Sequence, residues 1–425
     1  MPQFDLFFAL FRKSFICSAS LLLLVPSYGA AFQFLCNSIA CTITKWSPSE
    51  EGSFVLAHIP NDTVLLKLVN LKTSTFNMDT INWERANGIE VQIERSSVKK
   101  VVMPVSNIIT RLKLVRTYLS DIVFDEGNER LFFLTISDSR LKSVPSTIAH
   151  LAALEMVKIS KSSIETVNMN LFGKLTRLYH INLCNNRMLF LLLSDAAGAD
   201  FAQLRYLFLS GNLFTTINLS VFNGMPLLQV LDLHNNRIRR VQGTLVSSTL
   251  KTFDLSRNRI IILHCCEWNL PNLTRFTVSR NELSRLPTCL SLAMPNVTYL
   301  LLDSNALTDG DSWYSILTLE GLQQLDISRN RLTRAVFDTL SQSLYILNLQ
   351  NNNITVLSVP VAGKGLKILA SFNLIDTFDI KSLSPNVSSL EMFCNPIDCS
   401  FDRERMPIGQ EPVCSNAQIR SCDTS

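Results

Sequence analysis

Histidine is scarce in this chain: five among 425 residues, at His58, His150, His180, His234 and His264, scattered and in no His-Glu-x-x-His arrangement. Gly-x-Ser-x-Gly, phosphate-loop and dinucleotide fingerprints are missing as well. Catalysis therefore has no support in the sequence, and no cofactor or metal is expected; His234 near Asp232 and His180 reads as three polar residues on a solvated surface. Charge is low, at 17% with a formal net charge of +4, and no Lys/Arg-rich stripe with interleaved aromatics occurs. Nucleic acid is set aside as a partner. Past residue 30 no stretch reaches about 18 apolar residues without a charge or turn former, and residues 415–425 carry no hydrophobic anchor signal. No membrane span is expected in the mature chain.

Against these absences stands one unit that recurs about every 22 to 26 residues: Leu-x-x-Leu-x-Leu-x-x-Asn-x-Leu, clearest at Leu228 to Ile238, Leu250 to Ile260 and Leu322 to Leu332. The alternating Leu positions have the period of a short strand, and the Asn marks a turn. No unit buries its Leu face alone. Stacking the strands in parallel about 4.8 Å apart buries each Leu row and lets each Asn bond the backbone of the next coil. The expected ladder is Asn186, Asn212, Asn236, Asn258, Asn281, Asn305, Asn330, Asn352 and Asn395, with a one-residue slip near Asn373 in the repeat opening at Leu366. Upstream, Ser96, Thr117, Ser139 and Ser162 hold the same phase and cap less completely. The fold class is an α/β-type repeat solenoid of about 14 to 15 units, with a parallel sheet on the concave face and short irregular or 3-10 segments on the convex face.

Residues 1–30 read as a signal peptide: Arg12 and Lys13, an apolar run from Phe15 to Val25, then small residues near Gly29. Residues 31–60 form a cysteine-bearing N-terminal cap, 61–393 the repeats, and 394–425 a C-terminal cap and tail. A secreted chain favours disulfides, and the ends of a solenoid need them, so Cys36 and Cys41, and Cys394, Cys399, Cys414 and Cys422, read as stapled caps. Cys266 and Cys289 each lie eight residues beyond a ladder Asn, on adjacent coils, which predicts a cross-coil disulfide with Cys265 as competing partner. A zinc site from His264, Cys265, Cys266 and Cys289 is the alternative. Cys184 is left over on the open strand face, either as a free thiol or as a link to a second chain, giving a disulfide-linked dimer.

Function in such a solenoid lies at the variable positions of the concave sheet. There Tyr179, His180, Tyr206, Phe208 and His234 cluster beside Asp232 and Asp254, a group suited to protein binding, although exposed aromatics also simply favour strands. A column of Arg257, Arg280 and Arg329 in a repeated Ser-Arg-Asn reads as consensus filler. Glycosylation sequons stand at Asn61, Asn218, Asn272, Asn296, Asn353 and Asn386. Asn272, Asn296 and Asn386 each lie nine residues before a ladder Asn, on one rim.

The signal, the caps and the repeats, with the stretches "LDLHNNRI" and "LDISRNRL", resemble the extracellular leucine-rich-repeat family, whose fold is a horseshoe. The Cys-Cys-x-Trp at Cys265 to Trp268 and the Leu-Pro-x-Cys at Leu286 to Cys289 are similar to the secreted leucine-rich immune proteins of mosquitoes; without heptads, this would be a short form lacking their coiled coil. The C-terminal caps of the wider family imply Cys394 paired with Cys414 and Cys399 with Cys422. The resemblance implies a non-catalytic innate-immune recognition or scaffold factor in body fluid. Its expected partners are other extracellular proteins, including complement-like ones, or a microbial surface. A cell-adhesion or extracellular-matrix protein, or a decoy like a Toll-like receptor ectodomain, is the alternative.

Overall fold

Residues 32–81, 88–105, 108–193, 201–309 and 314–397 are described by a computed structural model. They fall into two compact units that divide after Leu141.

The first unit opens on an antiparallel hairpin, Gln33–Cys36 against Ala40–Thr44, in which Cys36 and Cys41 are register partners and are joined by a disulfide. Ala40–Thr44 then begins a parallel stack with Leu65–Val69, Ile89–Glu94, Ile109–Val115 and Phe133–Ser137. Alternation along these strands sends Leu66, Leu68, Val91, Ile93, Leu112, Leu114, Leu134 and Ile136 into the core, all buried. Under the hairpin, Trp46 is fully buried, and its indole Nε1 donates to the Gly52 carbonyl at 3.0 Å.

The second unit continues the pattern with Met156–Ser160, His180–Asn182, Tyr206–Phe208, Val230–Asp232, Thr252–Asp254, Arg275–Thr277, Tyr299–Leu301, Gln324–Asp326, Ile346–Asn348, Leu366–Leu369 and Val387–Glu391, each parallel to the next. The inward rows include Leu207, Leu231, Phe253, Phe276, Leu300, Leu325 and Leu347, at 0% exposure. Burying each such side chain contributes about 1.5–3 kcal/mol.

The asparagine ladder runs as a continuous seam through this unit, but with a direction opposite to the one expected. Asn212 Nδ2 donates to Leu209 O at 2.9 Å in its own coil and to Leu183 O at 3.0 Å in the coil before, while its Oδ1 accepts from Met188 N at 3.2 Å. Each asparagine thus ties its own coil to the preceding one. Asn373 is a full member, donating to Leu349 O and Ala370 O at 3.0 Å each. The slip lies in the leucine instead: Ile368 pairs with Leu347, so Leu366 stands two rather than three residues before the inward strand position, and in the next strand Ser388 bulges between the partners of Leu366 and Lys367. In the first unit, Ser96 Oγ accepts from Leu71 N at 2.9 Å, whereas the buried Thr117 Oγ1 finds no partner among the described residues. Ser96 Oγ also donates to Glu94 O at 2.8 Å, so a hydroxyl can join two coils, but with one hydrogen it makes fewer bonds than the amide.

The residue before the ladder position takes a left-handed conformation in coil after coil: Asn185, Gly211, Asn235, Arg257, Arg280, Ser304, Arg329, Asn351, Phe372 and Cys394 all have φ between 53° and 67°. The Ser-Arg-Asn column therefore marks a backbone turn, a state that costs a non-glycine residue about 1–2 kcal/mol.

The side beyond the turn has the short 3-10 segments expected and, in addition, short strands. It carries short parallel pairs, Thr166–Asn168 with Phe190–Leu192, Thr216–Asn218 with Arg240–Gln242, Leu245–Val246 with Trp268–Asn269, and Arg334–Val336 with Val356–Ser358. Between them lie 3-10 turns such as Leu219–Phe222. Cys266 and Cys289 are joined by a disulfide with Cα atoms 4.9 Å apart. Cys265 is a free, fully buried thiol that points into the core, so it neither competes for Cys289 nor joins His264 in a ligand set. Cys394 is disulfide-bonded; Cys399, Cys414 and Cys422, like the signal segment 1–30, lie outside the described residues.

Candidate functional site

All the residues singled out for partner binding lie in the second unit, on the solvent side of its main sheet. Strand alternation decides this: with Ile181, Leu207, Leu231 and Phe253 buried, their neighbours on either side must face out. Pairing then sets the neighbours across coils. His180 is the register partner of Tyr206, Asn182 of Phe208, Phe208 of Asp232, and Asp232 of Asp254.

Four rings meet on two adjacent coils. Tyr179 and Tyr206 stand edge to face with centroids 6.5 Å apart, His180 tilts over Tyr206 at 5.9 Å, and His180 meets Phe208 at 5.2 Å. Each ring is half-buried. Packing of this kind holds the rings in place. Burial first, and the positive charge of Lys158 second, push the His180 imidazole below its ordinary pKa, so the ring is neutral at physiological pH and behaves as a fourth aromatic.

One coil further on the surface turns acidic. Asp232 Oδ1 accepts from the His234 backbone N at 2.9 Å and from its ring Nδ1 at 2.7 Å. That contact, against opposing burial, holds the His234 imidazolium above its ordinary pKa. The backbone half of this arrangement recurs on four further coils: Asn182 accepts from Cys184 N, Asp254 from Ser256 N, Asp326 from Ser328 N and Asn348 from Gln350 N, at 2.8–3.2 Å. The polar residue between the second and third Leu therefore caps the strand end. Sequence reasoning missed this second role; the signal was the recurrence of Asp or Asn four residues before the ladder Asn.

A second cluster on the same face was also missed. The Arg275 guanidinium lies 4.3 Å from the Tyr299 ring centroid, and Tyr299 hydrogen-bonds Tyr345, which is 40% exposed. These residues lie in three different coils, and only the strand register reveals their proximity.

Cys184 is a free, half-buried thiol whose Sγ lies 2.9 Å from Ser210 Oγ. Burial raises its pKa, which leaves it a weak nucleophile. The rim sequons share one geometry: Asn272, Asn296 and Asn386 each donate Nδ2 to a carbonyl of the coil before, Ser248, Pro271 and Ala362 respectively, at 2.7–2.8 Å. Asn218 instead caps a 3-10 turn, its Oδ1 accepting from Ser220 N at 3.1 Å. Asn61 is exposed in a turn, and Asn353 is exposed in the irregular segment after Asn352.

Comparison with known proteins agrees with this architecture. The family profile described as "Leucine rich repeat" matches residues 176–238 and 202–260. Keratocan of Danio rerio is 27% identical over 261 residues, covering 60% of this chain and 70% of that protein. Podocan of Mus musculus is 27% identical over 52% of this chain and 36% of its own length, and chaoptin of Drosophila melanogaster 32% identical over 46% of this chain but 14% of its own. The chain thus spans only a minor part of these last two relatives. Among solved structures, the APL1 leucine-rich repeat domain superposes with a TM-score of 0.55 at 17% identity, covering 82% of this chain and 91% of that one. A leucine-rich-repeat protein of Leptospira interrogans gives 0.51 at 19% identity, with 82% and 87% covered. At these identities the superpositions speak for the fold alone. Repeat pattern and parallel solenoid give this chain a leucine-rich-repeat fold, and the profile match places repeats of that family at residues 176–260.

Proposed function

We propose that this protein is a secreted, non-catalytic binding module that serves as an innate-immune recognition or scaffold factor, and that it engages an extracellular protein through the solvent face of its main sheet. The observation that carries the reading is the pre-packed group of Tyr179, His180, Tyr206 and Phe208 beside the carboxylates of Asp232 and Asp254. Rigid aromatic rings next to fixed charges are the usual make-up of a protein-binding hot spot. Likeness to leucine-rich-repeat proteins, with no signature of catalysis in the sequence, supports binding over chemistry. No helix among the described residues is long and apolar enough to cross a membrane, which accords with an extracellular factor. Cys184 serves at most as a slow link to a second chain, given its raised pKa.

A role in adhesion or the extracellular matrix is the second reading, and the sequence likeness to keratocan, podocan and chaoptin favours it. One experiment separates both from a merely structural patch. Replacing Tyr206 and Phe208 with Ser should leave secretion and the unfolding midpoint nearly unchanged while abolishing capture of partners from extracellular fluid. Unfolding with no binding defect would put these rings in a purely structural role.

A further inference from the structure

Asp232, His234 and Asp254 bring one nitrogen and two carboxylate donors together on two adjacent coils, with ligand atoms all within 4.8 Å of one another and each side chain half-buried. Two facts of the fold place them. Asp232 and His234 are two residues apart on one coil, so alternation sends both to the solvent face, and Asp254 is the register partner of Asp232 on the next coil.

The need for a strand-end acceptor does not explain the two carboxylates. Asn182 and Asn348 make the same backbone contact with a neutral amide. Directly opposed like charges on neighbouring strands are destabilising. Two coils of the column resolve this otherwise: opposite Asp326 stands Asn348, whose Nδ2 donates to Asp326 Oδ2 at 3.0 Å. At Asp232 and Asp254 there is no such amide. Among the described residues no lysine or arginine lies within salt-bridge distance of either carboxylate, and the His234 ring contacts only Asp232. Beyond the hydrogen bond from Ser256 N, the only cationic neighbour of Asp254 on this face among the described residues is the His234 ring, and a cation would sit between both carboxylates and the imidazole.

We propose that Asp232, His234 and Asp254 form a binding site for a divalent cation of the zinc class. Imidazole with carboxylates suits zinc and its transition-metal neighbours, whereas calcium and magnesium prefer sites built of oxygen alone. Metal–ligand distances of about 2.0–2.2 Å set tetrahedral donors about 3.4 Å apart, so side-chain rotation on a fixed sheet must draw the donors in from as far as 4.8 Å and open the 2.7 Å contact between Asp232 and His234. Three protein ligands leave a coordination position open towards solvent. A side chain of the extracellular partner would fill it; this last step alone rests on the binding role proposed above.

Isothermal titration of the full-length secreted protein with zinc chloride tests the site directly. The expected result is one cation per chain, with affinity weakened more than about 10-fold by Asp254→Asn and by His234→Gln, since even loss of an outer-shell partner costs a metal site that much. Asp254→Asn retains the strand-end acceptor and relieves the opposed charges, so circular dichroism should not change and the metal-free unfolding midpoint should stay or rise slightly, never fall. Asp326→Asn and Cys184→Ser should bind as the parent does. Absence of binding, affinity unchanged in Asp254→Asn and His234→Gln, or loss of binding in Cys184→Ser would each overturn the assignment. None of these outcomes depends on whether the aromatic group binds a protein.

Discussion

Replacing Asn258 tests whether the ladder amide ties one coil to the one before. Its Nδ2 donates to Leu233 O at 3.1 Å, Leu255 O at 2.9 Å and Ser256 O at 3.2 Å, and its Oδ1 accepts from Ile238 N at 3.0 Å. The carbonyls have second donors: Asn236 Nδ2 reaches Leu233 O, Asn281 Nδ2 reaches Leu255 O, and Asn235 N reaches Ser256 O. The Ile238 N–H has no other acceptor among the described residues. Asn258→Ala therefore orphans one buried donor and weakens three shared acceptors. An orphaned donor costs about 1–3 kcal/mol, and the lost contacts bring the total to about 3 kcal/mol. Asn258→Asp discriminates further: it keeps the acceptor for Ile238 but sets a carboxylate, at a site only 7% exposed, against three carbonyl oxygens. It should destabilise more than Ala, by about 4 kcal/mol or more at pH 7, and less at acidic pH where the carboxyl can protonate. The assay is urea unfolding combined with amide hydrogen exchange, because coils couple mainly to their neighbours and the loss should appear first at Ile238 and the adjoining coils. An Asp variant milder than the Ala variant would refute the assigned hydrogen-bond directions.

Removing the disulfide with Cys266→Ser and Cys289→Ser releases a loop of 23 residues and should cost about 3 kcal/mol by chain entropy, read as a lower denaturation midpoint. Cys265 should resist alkylation by iodoacetamide in the native protein and react only on unfolding, since complete burial pushes its thiol pKa far up; rapid native labelling would place it outside the core. By NMR titration the two sheet-face imidazoles should separate, His180 titrating below 6.5 and His234 above it. The signs for stability follow: the raised His234 contributes below its unfolded pKa and loses that contribution as pH rises through its folded value, while the depressed His180 costs stability as pH falls below its unfolded value. Asp232→Asn should return His234 towards its ordinary pKa without disturbing the fold, because Asn182 and Asn348 cap the same turn.

Much of this architecture was legible because a solenoid repeats its constraints. Leu207, Leu231 and Leu325 declare their burial by period alone, and phase counting from Asn258 and Asn281 is enough to bring Cys266 and Cys289 to the same place on adjacent coils. The turn preceding each ladder Asn was not legible, because Arg257, Ser304, Phe372 and Cys394 share a left-handed backbone and no common side-chain chemistry. The ladder's backward direction was hidden for a related reason: sequence gives which residue caps, and only the coil's handedness gives what it caps. The face occupied by Tyr179, Tyr206 and Phe208 could be read from alternation. That Asp232 and Asp254 also terminate their own strands could not, since the same residues read equally well as solvated surface charge.

The claim that the sheet face of the second unit is the binding surface is tested most directly by site-specific photo-crosslinking. A photoreactive residue at position 206 is compared with one at position 334, on the short strand Arg334–Val336 beyond the turn, in protein exposed to the extracellular fluid of its source. The account predicts a discrete cross-linked protein from position 206 that is absent from position 334 and disappears when Phe208 is replaced with Ser. Equal labelling from both positions, or labelling from 334 alone, would contradict it.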